Sequence, residues 1–127
     1  MENTQELDES PLGTPKHLKR DDWATRDAFW FGRVEGQELG TNTTILFFST
    51  DKIGDGPPLH VHTYDELFII RSGRALFTVG EEKFTAEKGD VVFGPANIPH
   101  KFENLGPDPF ETTDIHLSDR FEQVDLE

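Results

Sequence analysis

The chain has 127 residues, 12 basic against 25 acidic side chains, a net charge of −13 and no cysteine. That length predicts one domain, large enough to bury roughly two-thirds of the surface its unfolded chain exposes. The charge argues against phosphate backbones and anionic membranes as partners. The missing thiols exclude disulfides, zinc ribbons and cysteine nucleophiles.

The first 20 residues are polar and hold Pro11 and Pro15, which predicts a loose arm before a domain over 21–127. The opening MENTQELDES has neither a basic region nor an apolar stretch, so no signal peptide is expected, and no apolar run approaches a membrane span. A cytoplasmic protein is the simplest expectation. His17 lies in the arm and is expected to be solvated.

Residues 27–36 are the first candidate strand, and 41–50, β-branched and then aromatic, a stronger one. Further short runs follow at 65–73, 74–80, 82–86, 90–95, 98–104 and 110–118. Gly, Pro, Asn or Asp separates them, as at Ser72-Gly73, Gly80-Glu81, Lys88-Gly89-Asp90 and Leu105-Gly106-Pro107. Short strands at this spacing predict an all-β sandwich or barrel. Only 119–126 reads as a possible helical turn.

Side chains alternate faces along a strand. His60 and His62 therefore share a face, which Tyr64, Glu66, Phe68 and Ile70 join if the strand continues. His100, Phe102 and Asn104 share a face in a later strand, with charged Lys101 and Glu103 opposite. Three imidazoles and one carboxylate are thus expected to converge on the interior. A bare buried carboxylate is costly, and a divalent cation removes the cost. This donor set suits Fe, Mn, Ni, Co, Zn or Cu. Four protein donors leave one or two coordination positions open, as catalysis or ligand binding requires.

The spacing of these residues resembles that of the cupins. Their first motif is Gly, five residues, His-x-His, three or four residues, Glu, six residues, Gly; here it is Gly54, His60, His62, Glu66 and Gly73. Their second is Gly, five residues, Pro-x-Gly, two residues, His, three residues, Asn; here it is Gly89, Pro95, Asn97, His100 and Asn104. Asn97 is the single departure, and Asn is the residue after Gly that best tolerates left-handed backbone. The resemblance implies a double-stranded β-helix, or jelly roll. It implies one divalent transition metal on His60, His62, Glu66 and His100, a small-molecule ligand or substrate, and a homodimer.

Other residues admit plainer roles. Phe68, Phe77, Phe93 and Phe102 are expected to fill the barrel, some of them lining the pocket. Tyr64 and His116 are the candidates for an acid or base. The strand of His116 does not reveal its inward face, so an edge or surface position is the plainer expectation for it, as is a rim position for Tyr64. Arg33, Arg71 and Arg74 could meet an anion but are more simply solvated or paired. Two functional classes follow. One is a metal-dependent enzyme, either like the quercetin dioxygenase-type cupins or an isomerase or decarboxylase using the metal as Lewis acid. The other is a non-catalytic module that binds or senses a small molecule. An empty barrel is the third possibility.

Overall fold

The computed structural model describes residues 13–25 and 29–127. The predicted arm lies outside the described residues up to position 12, and the first candidate strand does so at 27 and 28. His17 is exposed, as expected.

Among the described residues the predicted β-rich pattern resolves into ten strands. They are β1 (Gly32–Val34), β2 (Thr44–Thr50), β3 (His60–Val61), β4 (Glu66–Ser72), β5 (Arg74–Val79), β6 (Glu82–Glu87), β7 (Val91–Gly94), β8 (His100–Asn104), β9 (Phe110–His116) and β10 (Val124–Asp125). Single helical turns occur at α1 (Arg20–Trp23) and α2 (Gly36–Leu39). No helix among the described residues is long and apolar enough to cross a membrane.

The strands form two antiparallel sheets, ordered β1-β2-β9-β4-β7 and β10-β3-β8-β5-β6. Apart from β1–β2 and β5–β6, neighbours in each sheet come from distant parts of the chain, as in a jelly roll. Alternation builds the core. Phe68 and Ile70 of β4, Ala75 and Phe77 of β5, Phe102 of β8 and Phe110 of β9 meet between the sheets. Their rings pack edge-on or tilted at centroid separations of 5.2 Å for Phe68–Phe77, 5.1 Å for Phe77–Phe102 and 5.3 Å for Phe102–Phe110. Each such buried ring is worth roughly 1.5–3 kcal/mol over leaving it in water.

Two expectations fail. The segment 119–126 forms no helical turn: Val124 and Asp125 pair instead with Val61 and His60. Backbone pairing with β3 outweighs a weak local helical tendency. Phe93 points outward and is 53% exposed, while its neighbours Val92 and Gly94 are buried. In a run apolar on both faces, only the sheet's packing decides which face turns inward.

The turns carry the backbone conformations the motifs require. Asn97, in the glycine position of the second motif, has φ 66°, and its N–H donates to the His62 carbonyl at 2.8 Å. The left-handed residue thereby ties the second motif to the histidine strand. Gly94 lies beneath the site, where a Cβ would come within 3.3 Å of His100 Nδ1 and 3.4 Å of the Phe68 ring.

Candidate metal centre

His60 and His62 enter from β3 and the residue after it, Glu66 from the start of β4, and His100 from the start of β8. All four are buried. The pairing of His60 with His100 across β3 and β8 brings the two motifs together. One potential ligand atom from each of the four lies within 4.8 Å of those of the others.

Hydrogen bonds set the imidazole tautomers. His60 Nδ1 lies 2.7 Å from the Pro58 carbonyl, His62 Nδ1 2.7 Å from the Glu122 carbonyl and His100 Nδ1 3.3 Å from the Ile98 carbonyl. A carbonyl only accepts, so each Nδ1 carries the hydrogen and each Nε2 keeps a lone pair. This support is the kind metal-binding histidines require.

Those lone pairs crowd a carboxylate. Glu66 Oε1 lies 3.1 Å from His62 Nε2 and 3.0 Å from His100 Nε2, while Oε2 lies 3.0 Å from His116 Nε2. The Nε2 atoms of His62 and His116 are buried without an aligned hydrogen-bond partner. Acceptors facing one another, with the orphaned His62 nitrogen among them, are stabilised by a cation. Ligand bonds of about 2.1 Å at right angles place neighbouring donors about 3.0 Å apart, and the Oε1–Nε2 spacings match. The site therefore fits a divalent metal ion.

The electrostatics agree. Burial draws the His60 imidazole down to about 4, with His100 and His62 adding to the fall and the Pro58 hydrogen bond and Glu66 opposing it. His60 is thus neutral, as a ligand must be.

His116 does not lie at an edge or on the surface. It is 1% exposed, because β9 is an inner strand and its register sets His116 opposite Glu66. Its Nδ1 lies 2.7 Å from Tyr64 Oη. Tyr64 is half-buried over the site, and burial, with the Glu66 charge adding, raises its hydroxyl to about 12. Of the arginines, Arg33 lines the cavity while paired with Glu35. Arg71 pairs with Glu111 and covers Trp30, and Arg74 bonds the Gly106 carbonyl.

A cavity of about 410 Å³ opens over the histidines. Phe68 and Phe102 line it together with Phe31, Leu46 and Phe48; Phe77 lies in the packed core and does not line it. Asp114 is a site residue that sequence reading left unassigned. It lines the same cavity, 5% exposed, with Oδ1 2.8 Å from Thr112 Oγ1. Burial, and then the Glu66 charge, push its carboxyl well above the usual range. The available signal was its parity with His116 on one strand.

Residues 47–116 match the family model of the cupin domain. An uncharacterized protein of Methanocaldococcus jannaschii is 42% identical over 60 residues, which cover 46% of this chain and 48% of that protein. One from Streptomyces coelicolor is 43% identical over 47 residues, covering 37% of this chain and 45% of the relative. The match thus spans about half the length of these curated relatives. Among solved structures, oxalate decarboxylase from Bacillus subtilis superposes with a TM-score of 0.68 at 23% identity, over 75% of this chain and 27% of that one. A structure of the same enzyme, from work on its Mn(II) centres, gives 0.74 at 20% identity over 97% and 36%. At these identities the likeness establishes the jelly-roll fold.

Proposed function

This chain belongs to the cupin family, and we propose that it works as a metal-dependent enzyme on a small organic molecule with an apolar body and an oxygen donor. His60, His62, Glu66 and His100 would hold the ion. The observation that carries the reading is the cluster of these four groups, three of which, His60, His62 and Glu66, line an open, largely apolar cavity large enough for a small ligand. A bound ion would supply Lewis acidity toward a substrate oxygen.

Asp114 favours proton-transfer chemistry, an isomerisation or a decarboxylation, over dioxygen chemistry. Thr112 Oγ1 lies 3.1 Å from the Ile69 carbonyl and 2.8 Å from Asp114 Oδ1. A hydroxyl that donates to the carbonyl can accept from a protonated Asp114. The carboxyl is therefore suited to hold a proton and to pass it to a substrate carbon that gains negative charge. Phe68 and Phe102 would exclude water from that carbon. The oxalate decarboxylase fold neighbours are consistent with this class of chemistry, although the apolar walls here suit a larger body than oxalate.

The test supplies the protein, loaded with Mn(II), Fe(II) or Zn(II), with apolar-bodied 2-oxo and 3-oxo acids in D₂O. Metal-dependent deuterium uptake or CO₂ release, lowered at least about tenfold by Asp114→Asn, is expected. Oxygen consumed in step with product would support a dioxygenase instead. Tight binding of one ligand per chain, with no isotope uptake for any metal, would support the binding module.

A further inference from the structure

We infer that Tyr64 and His116 form an outer support for Glu66, a positioning pair that turns Oε1 toward the metal ligands by holding Oε2. The inference rests on the metal reading above.

The two oxygens of Glu66 have different neighbours. Oε1 contacts His62 and His100, and Oε2 contacts His116. Once Oε1 is given to a cation, Oε2 is a buried acceptor that needs a donor. His116 Nε2 lies 3.0 Å away, buried, and as it stands it has no aligned hydrogen-bond partner. It can donate only if its hydrogen sits on Nε2, and Tyr64 decides that.

The Tyr64 hydroxyl has one hydrogen and two acceptors in reach, His116 Nδ1 at 2.7 Å and the Glu122 carbonyl at 3.0 Å. That carbonyl already accepts from His62 Nδ1 at 2.7 Å. Donation along the shorter contact, to His116 Nδ1, leaves the imidazole hydrogen on Nε2, facing Oε2. The Glu122 N–H, 3.2 Å from Tyr64 Oη, donates to the hydroxyl oxygen. The chain runs from the Glu122 N–H through Tyr64 to His116, whose Nε2 stands 3.0 Å from Glu66 Oε2, while the Glu122 carbonyl holds His62. The backbone of one residue outside the barrel strands thereby orients two ligands from opposite sides, and the stacked rings of His62 and Tyr64, 4.9 Å apart, fix the spacing.

The experiment titrates metal-free protein with Co(II) alone, following both affinity and the visible absorption band. The variants are Tyr64→Phe, His116→Gln and His116→Leu, each checked by thermal unfolding in chelator. Loss of a group supporting a ligand typically costs 10–100-fold in metal affinity. His116→Leu should show a loss in that range with a displaced band. His116→Gln, whose amide can still donate to Oε2, should recover most of both. Tyr64→Phe should move affinity and band in the same direction by a smaller factor; it removes only one hydroxyl, so it tests the pair even if His116→Leu fails to fold. Parental affinity within twofold and an unchanged band in Tyr64→Phe and His116→Gln, together with parental values in any folded His116→Leu, would overturn the inference. So would a loss above about a thousandfold in folded His116→Leu, which would make His116 a ligand itself. A parent that binds no Co(II), like His60→Ala/His62→Ala, would instead overturn the metal reading, and the support role with it.

Discussion

Replacing Glu66 by glutamine separates the metal's needs from the fold's. The side chain keeps its size and loses its charge at a position only 2% exposed. In metal-free protein the carboxylate faces three imidazole nitrogens at 3.0–3.1 Å, two of them without aligned partners. An amide supplies a donor to that cluster and removes a buried charge, so the metal-free stability should stay within about 1–2 kcal/mol of the parent, with no systematic loss. Metal affinity should move the other way. Losing even a group behind a ligand costs up to about 100-fold. Losing the anionic ligand itself should exceed that, which is more than about 2.7 kcal/mol at about 1.4 kcal/mol per decade. Competition titration with a chelator, using Mn(II) and Zn(II), measures the affinity, and unfolding in chelator measures the stability. A Glu66→Gln protein that binds either metal within threefold of the parent would refute the ligand assignment. One that fails to fold without metal would refute the view that apolar strands, and not the carboxylate, hold the barrel together.

Two further outcomes rest on burial and charge. Phe68→Ala removes a ring that is 1% exposed and touches both core and cavity; it should lower stability by about 3–5 kcal/mol in denaturant unfolding, whereas Phe93→Ala, at 53% exposure, should change it by less than about 0.5 kcal/mol. The His60 imidazole is lowered from its ordinary value of 6.5 to about 4, so between those values the unfolded chain binds more protons than the folded one. The stability of the metal-free parent should therefore fall as pH drops from 6.5 toward 4, and the slope should be shallower in His60→Gln; unfolding curves at half-unit pH steps that superimpose for the two proteins would contradict the shift.

How much of this was legible depends on the range of the interaction. Strand existence, the parity of His60 with His62 and of His100 with Phe102, and the left-handed turn at Asn97 are local, governed by backbone sterics and side-chain alternation over a few residues. They appear in the structure as the residue order predicts. The same alternation could not orient β9 or β7. In β9 the inward residues Thr112, Asp114 and His116 are polar, while apolar Ile115 lies on the other side, so hydropathy misleads about the face. In β7 both faces are apolar, and Phe93 turned outward.

By itself, then, the sequence determined the β architecture and four donors at the spacing of a metal site, because strand geometry and motif spacing are written along the chain. Only the tertiary structure decided that His116 stands opposite Glu66, that Asp114 shares the cavity wall, and that the backbone N–H and carbonyl of Glu122 tie Tyr64 to His62. Those contacts join positions 50 or more residues apart, or use backbone atoms that every residue carries. Strand register and packing create them, and no local pattern of residue types encodes either.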